Sequence, residues 1–245
     1  MKLGEARIPD GLRVYAIGDV HGCDDLLAEM HERIRADLAA EAPASHHVIH
    51  LGDYVDRGAE TAGVIERVRH LAATDANVVC LRGNHEEMLL DFLAAAEAGA
   101  EANFLANGGV ATLASYGIAV GGWRLVRRSD ESLAARLAAQ MPSEHRAFLE
   151  SLPYSVRIGD FFFCHAGVRP GVDLAQQDPF DLTWIREGFL NSDADFGAVV
   201  VHGHTPQHAP QIRPNRINVD TGAVLGGPLT CVVLEGCDHR ILQVR

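Results

Sequence analysis

Three times in its first hundred residues the chain runs a short apolar stretch into a glycine-flanked polar cluster and then into a helical pattern. Residues 12–17 lead into Gly18-Asp19-Val20-His21-Gly22, residues 48–51 into Gly52-Asp53-Tyr54-Val55-Asp56-Arg57-Gly58, and residues 78–81 into Arg82-Gly83-Asn84-His85-Glu86. Residues 24–40 carry helical periodicity through Leu26, Leu27, Met30, Ile34 and Leu38; further helices are predicted from about residue 60 to 72 and from about residue 86 toward 98. A βαβαβα order requires parallel strands joined by crossover helices, and such sheets collect ligands at the carboxyl ends of their strands. All three polar clusters fall at those ends.

The last third changes pattern. Residues 154–158 and 161–164, joined by Gly159-Asp160, read as a hairpin, and further strands are predicted at residues 198–201, 216–219, 229–234 and 240–244. These suggest a second sheet packed on the first. Two more clusters, His165-Ala166-Gly167 and His202-Gly203-His204-Thr205, follow strands of this set. Between the two halves, Asn107-Gly108-Gly109 is a turn signal, residues 131–141 and 143–152 read as helices, and Pro142 fits the first turn of the second. The expectation is one domain over residues 1–245, in which residues 99–152 form a helical cap or plain scaffold.

A net charge of −12 argues against an electrostatic grip on nucleic acid or an anionic membrane. The five cysteines, Cys23, Cys80, Cys164, Cys231 and Cys237, include no CxxC pair, so a reducing compartment fits better than a disulfide framework. The first residues lack an apolar leader core and no stretch reaches membrane-spanning length, which points to the cytoplasm.

The five clusters offer carboxylate, amide and imidazole donors without thiolate, a set suited to Mn, Fe(II), Mg or Zn. Asp19 and His21, one residue apart after a strand, would face one side in extended geometry. Asp53 is the natural carboxylate to sit between two cations. One metal is expected on Asp19, His21 and Asp53, and another on Asp53, Asn84, His165 and His204. Two cations about 3.5–4 Å apart would clamp an in-line displacement through a shared hydroxide. His202, two residues before His204, is read as packing or support, and His46, His47 and His50 as strand entry and surface. His31, His70, His145, His208 and His239 are given no role, and Trp123 and Trp184 are read as packing anchors, with Trp184 near a cleft.

The ordered set GDVHG, GDYVDRG, LRGNHE, HAG and HGHT resembles the phosphoprotein phosphatase family of calcineurin-like metallophosphoesterases, in its bacterial and bacteriophage lambda phosphatase-like branch. The resemblance covers residues 13–92 and 160–235, with the LTWIRE stretch around Arg186 and the VDTGA stretch at residues 219–223. It implies an α/β (α+β) four-layer sandwich of two mixed sheets flanked by helices. It also implies two divalent metal ions, Mn2+ first with Fe2+, Zn2+ or Mg2+ as alternatives, and hydrolysis without a phosphoenzyme. The substrate would be a phosphorylated protein or a small phosphoester.

By the same resemblance His85 is the general acid and Asp56 its hydrogen-bond partner. Arg57 and Arg186 grip phosphate oxygens, Asn84 touches substrate as well as metal, Arg82 is either a third phosphate-binding candidate or a structural ion pair under the metal loop, and Glu86 supports the site or is a helix N-terminal acid. A symmetrical diadenosine tetraphosphate hydrolase is the competing enzyme. That branch usually has Asp where Glu86 stands and lacks the Asp of Asp56-Arg57, so both positions favour the phosphatase. A non-catalytic phosphoprotein-binding module would have lost ligands that this chain retains.

Overall fold

The computed structural model describes residues 1–94, 98–120 and 132–245. In chain order the strands are β1 (Leu12–Ile17), β2 (Ser45–His50), β3 (Val78–Cys80), β4 (Ser155–Ile158), β5 (Phe161–Cys164), β6 (Val199–His202), β7 (Gln211–Ile212), β8 (Arg216–Asn218), β9 (Leu229–Glu235) and β10 (Asp238–Val244). The helices are α1 (Asp24–Ala40), α2 (Thr61–Thr74), α3 (Asn84–Ala94), α4 (Ala100–Phe104), α5 (Val110–Ser115), α6 (Leu133–Gln140), α7 (Ser143–Ser151), α8 (Pro179–Trp184) and α9 (Glu187–Leu190). Trp123 and the start of the helix expected from residue 131 lie outside the described residues.

Two five-stranded mixed sheets run in the order β10-β9-β1-β2-β3 and β4-β5-β6-β8-β7. The alternation of side chains builds the layers. Val14 and Ala16 of β1 join Phe161 and Phe163 of β5 in the core between the sheets. Tyr15 and Ile17 face the opposite way, against Leu27, Met30 and Ile34 of α1. Phe162 and Cys164 pack outward with Leu182 and Phe189 from α8 and α9. Strands buried on both faces read as unbroken apolar runs. Helices, sheet, sheet and helices give the four-layer sandwich of two mixed sheets expected from the sequence.

Three expectations need correction. The strands after residue 228 belong to the first sheet: β9 lies antiparallel to β1 with Arg13 opposite Glu235, and β10 closes that edge. The buried Arg13 anchors this arrangement by donating to Glu235 at 2.7 Å and Asp37 at 3.2 Å. The Asn107-Gly108-Gly109 signal marks a kink between two helical stretches rather than a free turn, with Gly108 at φ +106°. β2 begins earlier than expected, at Ser45, and His50 at its end is not a surface residue; it lies in the core at 1% exposure, its ring centroid 5.1 Å from that of His31. Pro142 caps α7 from just outside its first turn.

Candidate active site

Four clusters leave the carboxyl ends of β1, β2, β5 and β6, and the fourth-residue turn into α3 follows β3, so all five motif loops meet over one end of the two sheets. Backbone bonds tie them together. The amides of Val20 and His21 donate to the Asp53 carbonyl at 3.1 and 2.8 Å, and the Gly203 amide donates to the His165 carbonyl at 2.8 Å. Asp19 spans the sheets, both carboxylate oxygens accepting from the His204 amide at 3.1 Å. The turns are tight: His21, Asp53, Asp56, Arg57 and His204 all have positive φ, between 43° and 71°. That left-handed backbone disfavours L side chains and recurs at functional sites.

Asp53 stands at the centre. Its Oδ2 lies 3.4 Å from His21 Nε2 and 4.0 Å from His85 Nε2. Its Oδ1 lies 3.3 Å from His165 Nε2. The Asn84 Oδ1 is 3.0 Å from that same nitrogen and 2.9 Å from His204 Nδ1. Asp53 therefore divides two groups of inward donors, His21 with His85 and His165 with His204, each group within 4.8 Å among its own atoms. A Cβ on Gly83 would overlap the Asp53 carboxylate, which makes the small residue at that turn a condition of the geometry.

The donor set fits divalent cations. His165 Nδ1 lies 2.9 Å from the Leu51 carbonyl and His21 Nδ1 lies 2.8 Å from the Val55 carbonyl. A carbonyl only accepts, so each Nδ1 carries the hydrogen and each Nε2 is the ring nitrogen turned toward Asp53 and available to a cation on loss of any proton it holds. Buried Glu86 locks the Asp53 loop, its carboxylate accepting from the amides of Gly83, Asp53 and Tyr54 at 2.8–2.9 Å. Burial and the charge of Asp53 push Glu86 up to about 7. Burial acts on His21 in the other direction, holding it down at about 3. Against the pull of burial, the Asp53 carboxylate lifts His165 to about 10.

The remaining residues divide by what they touch. His85 Nδ1 is 2.7 Å from Asp56 Oδ2, and both are buried. The exposed Arg57 donates to His21 Nε2 at 2.7 Å and to His85 Nε2 at 2.8 Å. Arg186 is exposed before α9, close enough to His204 for its charge to oppose protonation of that ring. Trp184 stands beside it, its ring centroid 6.3 Å from that of His204 and its indole nitrogen donating to Glu87 at 3.1 Å.

Asp19 is buried beside these donors, its carboxylate accepting from the His204 amide and its charge felt with those of Asp220, His165 and Asp53. One expected placement differs. Arg82 does not reach the cleft: it donates to the Leu149 and Glu150 carbonyls at 3.0 and 2.7 Å and to Tyr154, which fixes the end of α7 against the sheet. His202 is fully buried, its ring centroid 5.0 Å from that of Phe189 and its Nδ1 3.1 Å from the Gly203 carbonyl, and burial lowers it to about 3.

Two residues were not singled out from the sequence. Asp220 follows β8, is buried near Asp19 and Asp53, and is pushed by burial up to about 6. Its position after a strand, before Thr221-Gly222, repeated the motif pattern and was the available signal. Thr112 on α5 donates to Asp56 Oδ1 at 2.6 Å, and nothing local in the sequence marks it.

A family model described as calcineurin-like phosphoesterase matches residues 12–227. The chain is 27% identical over 234 residues to serine/threonine-protein phosphatase 1 of Salmonella typhimurium, covering 91% of this chain and 92% of that protein. It is also 27% identical over 235 residues to the asymmetrical bis(5'-nucleosyl)-tetraphosphatase of Bacillus cereus, covering 87% of each. The structure of the cold-active protein-tyrosine phosphatase of a psychrophilic Shewanella shares the fold, with TM-score 0.60 at 19% identity over 98% of this chain and 84% of that one.

Proposed function

The chain belongs to the calcineurin-like phosphoesterase family, and we propose that it is a phosphomonoesterase acting on phosphoserine and phosphothreonine in proteins, with phosphotyrosine and small esters as secondary substrates. Two divalent cations, Mn2+ first, would be held by Asp19, His21, Asp53, Asn84, His165 and His204. When bound, they supply positive charge against the phosphoryl group and Lewis acidity toward water.

The protein's own groups would do the rest. Arg57 and Arg186 offer planar cationic forks to the non-bridging oxygens of phosphate. With Arg57 turned from His85 Nε2 to phosphate, His85 would hand a proton from that nitrogen to the departing oxygen, while Asp56 at Nδ1 orients the ring. Glu86 would keep the Asp53 loop from moving as charge shifts.

The His85–Asp56 pair carries the choice of substrate. A serine or threonine alkoxide is a strong base and leaves poorly without a proton; a nucleotide phosphate leaves without one. A buried, carboxylate-oriented acid therefore favours esters of alcohols. The second reading, a dinucleotide polyphosphate hydrolase, is favoured by the likeness to the Bacillus protein. That relative is named as asymmetrical, whereas the resemblance in the sequence had suggested the symmetrical kind.

A direct comparison tests both. With Mn2+ present, a phosphoserine peptide should be turned over with higher kcat/KM than diadenosine tetraphosphate. Dominant turnover of the dinucleotide would overturn the proposal, and its products would fix the cut: ATP with AMP for the asymmetrical reaction, two ADP for the symmetrical one.

A further inference from the structure

Asp56 is a fully buried carboxylate with one oxygen on His85 and the other on Thr112. The Thr112 contact is reciprocal. Its hydroxyl donates to Asp56 Oδ1 at 2.6 Å, and its oxygen accepts the Asp56 amide at 3.0 Å. Thr61 Oγ1, on α2, lies 3.3 Å from the same hydroxyl. All of these groups except the Thr61 contact are shorter than the usual neutral hydrogen bond or equal to it, and none is open to solvent.

The same stretch of chain holds the next residue as well. The Arg57 amide donates to the Gly108 carbonyl at 3.1 Å. Gly108 lies so close that a Cβ there would stand 2.7 Å from Arg57 Cγ and 2.9 Å from its amide nitrogen. Asp56 and Arg57 both have left-handed backbone, φ +71° and +67°, which costs energy unless the surroundings fix it. The kink at Gly108 and helix α5 supply that fixing from a part of the chain remote in sequence.

We propose that Thr112 is a positioning residue for proton donation, acting through Asp56 on His85, and that the α4–α5 stretch serves to seat the Asp56-Arg57 turn. The inference rests on the reading of His85 as general acid. Without the hydroxyl, Asp56 Oδ1 loses its only side-chain donor among the described residues and the carboxylate is free to rotate. The His85 ring then loses its fixed aim, and small misplacement of a reacting group costs up to about 10²-fold.

The test compares leaving groups. In the Mn2+-loaded enzyme, Thr112→Val removes the hydroxyl at nearly constant volume, and kcat on a phosphoserine peptide should fall about 10–30-fold. On p-nitrophenyl phosphate, whose leaving group needs no proton, it should change by less than about threefold. Thr112→Ser should restore both rates to within about threefold of the parent. Thr112→Ala carries the same expectation as valine and stands in for it if the valine variant does not fold. Equal losses on both substrates, no loss on either, or failure of serine to restore the rate would overturn the inference. His85→Asn serves as the control: if it too lacks leaving-group dependence, the general-acid reading itself fails, and if it shows the dependence while Thr112→Val does not, only the role of Thr112 is lost.

Discussion

Two groups of buried histidines occupy this molecule, and they differ in what surrounds them. His21 and His85 meet edge to face at 4.6 Å and His165 and His204 at 5.0 Å. His31 and His50 meet in the same way at 5.1 Å, between α1 and β2. Around the first four, Asp53 supplies a carboxylate to both pairs, and backbone carbonyls of Val55 and Leu51 choose which nitrogen is turned toward it. Around His31 and His50, among the described residues, no carboxylate bonds either ring: Asp24, whose charge reaches His31, is held by Arg67, and neither ring nitrogen of His50 has a partner. Crowded imidazoles alone do not make a cation site. A shared anion and a fixed tautomer do.

Removing that anion should have the largest effect. Asp53→Asn is expected to lower turnover by at least about 10²–10³-fold and to release metal, read by elemental analysis of the dialysed protein. Chelation should abolish activity in the parent, with Mn2+ restoring it; an active metal-free enzyme would erase the distinction between the two histidine groups. His85→Asn should cost about 10²-fold on a phosphoserine peptide and little on p-nitrophenyl phosphate. Arg186→Ala should cost about tenfold, mainly in KM, as expected for a lost charged contact to phosphate.

The smallest effect belongs to the other pair. Burial lowers His31 to about 4 from its ordinary 6.5. The unfolded chain then binds the proton more readily, so the contribution of neutral His31 to stability is complete above pH 6.5 and is lost as pH falls toward 4. His31→Leu should gain on the parent by about 2–3 kcal/mol between pH 7.5 and 4.5 in denaturant melts, with metal content and activity unchanged. A change in metal content would show that the pair is not independent of the site.

Much of this was legible in the sequence. β1, α1 and β5 run over the residues that their apolar patterns predict, and the donors of the motif loops converge because parallel strands deliver their ends to one place. Sheet membership was not legible for residues 229–244. An apolar run buried on both faces suits either sheet, and the choice depends on the pairing of β9 with β1. Arg82 looked like a phosphate ligand because it adjoins Asn84, yet the carbonyls at the end of α7 claim it. Thr112 lies more than fifty residues from Asp56, and no local pattern distinguishes it from any threonine on a half-buried helix.

The pairing of β9 with β1 has a consequence for assembly. β1, the strand that leads into Asp19, gains its second neighbour only from β9, which follows every motif strand in the sequence. His204 also comes late, and it is the His204 amide that holds the Asp19 carboxylate. As the chain emerges from a ribosome, its amino-terminal half can present Asp53 and His21 long before the partners that complete a tight site exist. Full affinity for a cation would thus await the strand that pairs with β1 and the turn that places His204. Retention of metal would report that the last strands have been inserted, and a chain truncated before residue 229 should fail to keep it.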